Sequence, residues 1–121
     1  MSQETPDRNL KILESLLKTS FLLIDAERLV KKALLEDPIE EKAQELEDKL
    51  DVIAQKMLVV NEKINAIPAG GPQVTPPTAE MLEGIKSLTD EVERLTKTVQ
   101  NVDATIKLAT GVINLAAEVA A

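Results

Sequence analysis

The stretch MLEGIKSLTDEVERLTKTVQNVDATIKLATGVINLAAEVA, residues 81–120, decides how this chain folds. Stepping alternately four and three residues from Met81 lands on Ile85, Leu88, Val92, Leu95, Val99, Val102, Ile106, Ala109, Ile113, Ala116 and Ala120, apolar at every step. No charge, Gly or Pro falls on this seam. Apolar residues at that spacing mark a helix packed along its whole length against other helices. The pattern predicts one helix over about 78–120, opened near Thr75-Pro76 or Thr78, with Glu80 and Glu83 complementing the helix dipole in the first turn.

Working outward, a helix over about 6–36 carries two apolar lanes. Ile12, Leu16, Leu23, Ala26, Val30 and Ala33 form one, and Leu10, Leu13, Leu17, Phe21 and Ile24 lie beside it. That face is wider than one partner helix covers, so this helix sits between two neighbours or faces another subunit. Thr5-Pro6 reads as its N-cap and first position, and Asp37-Pro38 as its end and as the N-cap of the next helix. The second helix, about 38–66, has its own seam: Ile39, Ala43, Leu46, Leu50, Ile53, Met57, Val60, Ile64 and Ile67. Lys42, Lys49, Lys56 and Lys63 line one edge of it, while Glu40 and Glu47 begin the other. Such flanks mark either an acidic partner helix or a solvated edge. The segment 67–77, IPAGGPQVTPP, is a linker: Gly70-Gly71 frees the backbone and the prolines prevent helix. It lacks a P-x-x-P spacing and basic residues, so it reads as a spacer and not as a Pro-rich ligand.

The third helix, if unbroken, is ~60 Å long against ~45 Å for each of the others. Either ~10 residues overhang the hairpin, or the helix breaks near Asn101-Val102-Asp103 and a shorter fourth helix follows. The unbroken seam favours continuity. Gly111 falls at an outward position of that helix and weakens it by about 1 kcal/mol. The end of this helix is unusually apolar: from Ala104 to Ala121 only Lys107 and Glu118 are charged. Leu108, Val112, Leu115 and Val119 widen its surface beyond Ile106 and Ile113 on the seam, so it must be covered by another chain, by the far end of the bundle or by a lipid-like surface. The fold expected is therefore all-α: an antiparallel bundle of three long helices, four if the third breaks near 101–103, with coiled-coil-like packing, in one domain over 1–121.

Composition narrows the function. The chain has 121 residues, a net charge of −7, no Cys, His, Trp or Tyr, and Phe21 as its single aromatic. Without His or Cys there is no ordinary imidazole base, thiolate nucleophile, structural zinc site or di-iron Glu-x-x-His set. Glu41, Glu45 and Asp48 share one face of the second helix, but outside its seam, where a solvated face is the simpler reading than a metal site. Gly70-Gly71 has no phosphate-loop pattern around it. Neither an enzyme, a metal protein nor a cofactor protein is expected. Residues 1–67 carry ten basic and fourteen acidic side chains and residues 68–121 four and seven, so no basic cluster invites nucleic acid. No window reaches the roughly 18–20 apolar residues of a membrane span. The polar, acidic opening, residues 1–7, is unlike a secretory signal, and with the absence of Cys it leads to a cytoplasmic expectation.

Amphipathic helices rich in Leu, Ala and Thr resemble phasin-like granule coats in composition, with no motif that carries residues across. Gln100 lies off the seam, unlike the polar layer of a SNARE motif, and no core Trp suggests a spectrin repeat. What remains is a non-enzymatic structural or adaptor module. It is expected to self-associate as a homo-dimer or higher oligomer, or to bind a partner helix. The surfaces proposed for this are Leu13, Leu17, Phe21 and Ile24 on the first helix and Ile106, Leu108, Val112, Ile113, Leu115 and Val119 near the C-terminus. Two alternatives stand beside it: an amphipathic coat on a membrane or other apolar surface, and a small regulatory or chaperone-like module that folds around a helix. Against the coat stands the acidic charge, since surface-binding helices favour Lys and Arg on the polar face.

Overall fold

A computed structural model describes residues 4–67, 76–98 and 101–121, the first five of these as backbone only. Among the described residues there are four helices and no strand: α1 (Glu4–Leu35), α2 (Glu40–Asn65), α3 (Ala79–Lys97) and α4 (Val102–Val119). The expected single helix over 78–120 is thus two. Asn101 makes the break definite, because its side-chain oxygen accepts from the Ala104 N–H at 3.0 Å and caps α4. Thr98 ends α3 in an extended conformation. The heptad count crossed this break undisturbed for a simple reason. In α4 the count picked a secondary line: Ile106 and Ile113 are half-buried, whereas Thr105, Leu108, Val112, Leu115 and Val119 point fully inward beside Ala109 and Ala116. A segment so rich in apolar residues fits more than one heptad phase.

The caps explain the other boundaries. Thr78 accepts from the Met81 N–H at 3.1 Å and opens α3, as its residue type predicts. Between α1 and α2 the expectation needs correcting. Asp37 does not cap α2; it adopts φ 55°, the left-handed region, and closes α1. Ile39 stands at the N-cap of α2 without a side-chain bond. The N–H groups of Glu36 and Asp37 donate to the carbonyls of Ala33 and Leu34, completing the last turn of α1. The left-handed conformation suits Gly better than Asp, and a carboxylate opposes the dipole at a helix C-terminus. Asp37→Gly should therefore stabilise the fold by about 0.5–1 kcal/mol, and Asp37→Val should cost about 1–2 kcal/mol, both read from denaturant midpoints. α1 also begins at Glu4, so Thr5 lies inside the helix instead of capping it.

Three contacts between helices set the topology. Lys42 at the start of α2 pairs with Asp103 at the start of α4 at 3.0 Å, so these two helices begin at the same end. An ideal Cβ on Gly84 would lie 3.4 Å from Leu115, and one on Gly111 would lie 3.2 Å from Leu88. Early α3 thus meets late α4, and the two run antiparallel. With the tight α1–α2 turn, the chain runs up α1, down α2, up α3 and down α4. α1 and α4 each pack against all the other helices, whereas α2 and α3 barely meet and occupy opposite corners. The connection over residues 66–78 therefore joins ends that a two- or three-residue turn cannot bridge. Residues 68–75, the centre of the expected linker, lie outside the described residues.

The central position of α4 accounts for its composition. A helix surrounded on three sides is apolar on most of its circumference, and the chain's own helices bury Leu108, Val112, Leu115 and Val119. Ser15, Thr19 and Thr105 are buried too, at almost no polar cost. The hydroxyls of Ser15, Thr19 and Thr105 donate back to the carbonyls of Ile12, Ser15 and Asn101. Gly111, expected to face outward, instead lies half-buried against Leu88, because α3 folds back across it. Gly84→Ala should stabilise the bundle by about 0.5–1 kcal/mol, since its new methyl meets Leu115 at ordinary contact distance. Gly111→Val should destabilise it by about 1–3 kcal/mol by pushing on Leu88. Thermal melts that gave the two substitutions the same sign would refute this account of the α3–α4 contact.

Candidate interaction surface

The two lanes of α1 are separated by burial. Ile12, Leu16, Leu23, Ala26, Val30 and Ala33 are at most 1% exposed, each directed at the core. The second lane is left on the outside: Leu10 is 61% exposed, Leu17 38%, Phe21 61% and Ile24 47%, with Leu13 half-buried among them. At 100° per residue these five share one sector of the helix, opposite its core-facing residues. Leu35, Ile39 and the adjacent pair Leu58 and Val59 are also exposed, as scattered apolar surface residues commonly are. A contiguous stripe on one helix is a different matter, because it keeps a patch of water-facing hydrocarbon in one place.

The residues singled out from the sequence therefore divide. Leu13, Leu17, Phe21 and Ile24 come together on the open face of α1. Leu108, Val112, Leu115 and Val119 lie in the interior, and Ile106 and Ile113 pack partly buried against that core. For the α4 set to meet a partner, the bundle would have to open. Leu10, the first residue of the same lane in the sequence, belongs to the exposed α1 stripe as well.

Beside the stripe runs a groove of about 770 Å³ between α1 and α3. Its apolar lining includes Phe21 and Leu22 from α1 and Leu82 and Ile85 from α3, with Pro77 near one end. Leu82 lies one residue off the sequence seam, and in the fold it is 48% exposed. Lys11, Lys18 and Lys86 are matched on the groove's walls by Glu14, Asp25 and Asp90. Along α1 the charges pair within the helix: Glu14 with Lys18 at 3.2 Å, Asp25 with Arg28 at 3.4 Å and Glu27 with Lys31 at 3.2 Å. Each exposed pair contributes only a few tenths of a kcal/mol. Their larger effect is that the stripe's borders are close to neutral.

Comparison with protein-family models, curated proteins and solved structures finds no match to this chain.

No group of three or more Asp and Glu among the described residues is placed to hold a metal ion. Asp48 accepts from Gln44 at 3.0 Å, an ordinary contact within one helix. A smaller depression between α3 and α4 is lined by Glu91, Arg94 and Lys107. Arg94 binds Glu91 there and holds its carboxyl below the ordinary carboxylate value. On the α2 edge, Lys42 is held above the usual lysine value, first by its hydrogen bond to Asp103 and then by that residue's charge. The pair thus stabilises the fold below the ordinary lysine pKa, and that contribution is lost as pH climbs through the raised one. One of the four flanking lysines has therefore found its acid on the chain's own α4. No helix among the described residues is long and apolar enough to cross a membrane.

Proposed function

We propose that this protein is a non-enzymatic structural or adaptor module that works through the outer face of α1, by packing it coiled-coil-like against another helix. The observation that supports this most directly is the exposure of Leu10, Leu17, Phe21 and Ile24 on a helix whose other lane is fully buried. Leaving those side chains in water costs about 25 cal/mol for each Å² that a partner could cover, and no fold-internal role requires them. The near-neutral borders fit a helix better than a highly charged ligand. A cytoplasmic setting accords with the absence of Cys.

A second reading has one observation in its favour. The interior face of α4 and the exposed stripe of α1 together would give an opened bundle two apolar helices to lay on a membrane or other apolar surface. The acidic balance of −7 weighs against an anionic membrane. Light scattering after size exclusion, with and without neutral and anionic vesicles, distinguishes the readings. The adaptor reading expects association without vesicles that Leu17→Glu and Phe21→Glu abolish while leaving the helical circular dichroism intact. A strict monomer that ignores vesicles would refute both.

A further inference from the structure

We infer that the occupant of the α1 face is a second copy of this chain, docked antiparallel about a two-fold axis through Leu17. This rests on the adaptor reading and narrows it to a partner. The stripe is symmetric about Leu17. Leu10 and Ile24 lie seven residues either side of Leu17, and Leu13 and Phe21 four either side. In an antiparallel pair centred on Leu17, Leu10 of one copy meets Ile24 of the other, Leu13 meets Phe21, and Leu17 meets itself. Each apolar residue of the face thus finds an apolar partner. A two-fold interface requires one patch to be complementary to itself, and this one is.

The charges on the same face select the direction. Ser20 falls on the same flank of the stripe as Leu13 and borders it in the other copy, while Glu14, on the opposite flank, borders Phe21. Arg28 and Lys31 follow Ile24 in the same sector and close the apolar block. A parallel pair would set Arg28 against Arg28 and Lys31 against Lys31, and like charges across an interface are a penalty. The antiparallel pair sends them past Leu10 of the other copy, at opposite ends of the contact. The block from Leu10 to Ile24 is only ~21 Å long, so the dimer is expected to be reversible and concentration-dependent.

The register makes the test specific. Ser20→Leu should tighten the dimer about threefold to tenfold by setting an apolar side chain against Leu13 of the other copy, and Ser20→Glu should loosen it by a similar factor. Leu17→Glu sets two carboxylates against each other on the axis and should leave a folded monomer. Because the chain has no Cys, single spin labels can be attached at Lys18→Cys and at Lys32→Cys in the full-length protein. Along the helix axis the label pairs should be ~3 Å and ~45 Å apart respectively, so the first gives a short distance and the second a long one. Short distances from both labels, or association indifferent to both Ser20 substitutions, would overturn the two-fold arrangement and leave the adaptor reading standing. A chain that stays monomeric, yet binds vesicles in a way Leu17→Glu abolishes, would overturn the second copy as occupant and replace it with an apolar surface. Leu17→Glu without effect on any association would overturn this inference and the adaptor reading together.

Discussion

Deleting residues 102–121 is expected to abolish the cooperative fold of the whole chain, not merely an interaction. α4 contributes Leu108, Val112, Leu115 and Val119 to the interior, together with Ala109, Ala116 and the back-bonded Thr105. Burying those four larger side chains contributes roughly 6–12 kcal/mol at ~1.5–3 kcal/mol each. Their removal also exposes the inward faces of α1, α2 and α3, which α4 touches along its length. A native domain holds only about 5–15 kcal/mol in reserve, so the loss exceeds what the remaining helices can absorb. Far-UV circular dichroism with urea titration would check this. The truncated chain should show reduced helicity and no sigmoidal transition. A truncated chain that unfolds cooperatively would mean that α1, α2 and α3 form a core of their own.

A pair of neighbouring leucines should give the second large contrast. Leu16 is fully buried and Leu17 is 38% exposed, although they are adjacent in the chain and chemically identical. Leu16→Ala removes core volume between packed helices and should cost about 2–5 kcal/mol. Leu17→Ala leaves no cavity in the fold and should cost below about 1 kcal/mol of monomer stability. Denaturant midpoints at low protein concentration isolate the folding effect from any association. Equal losses at the two positions would mean that the second lane of α1 is covered within the fold.

Much of this arrangement was legible in the residues themselves. The all-helical class followed from apolar residues at four-three spacing. The Thr78 cap was readable as a residue type in the right place. The width of α1 also announced that this helix had one face too many for a simple hairpin. The break after Lys97 was hidden for a physical reason: α4 is apolar around most of its circumference, so the four-three count begun in α3 runs on through Ile106 and Ile113, a half-buried line beside the inward one. Asn101 was the available sign, being a good N-cap, but a single cap residue carries less weight than a long periodic pattern. Asp37 misled in the opposite direction, since Asp before Pro reads as a helix start and here occupies a left-handed helix end.

By itself, the sequence determined that this chain is built of amphipathic helices, where most of them start and stop, and that it has neither Cys nor His. Heptad spacing, proline and composition act locally, and local forces set those properties. Only the tertiary structure decided which apolar surface is spent inside and which is left over. Both α4 and the outer lane of α1 are hydrocarbon-rich, and nothing in their residues ranks them. The ranking comes from packing: α1 and α4 each meet all three other helices, but the apolar residues of α4 fall on the sectors those neighbours cover. α1 can touch its neighbours over only part of its surface, and the stripe centred on Leu17 remains outside.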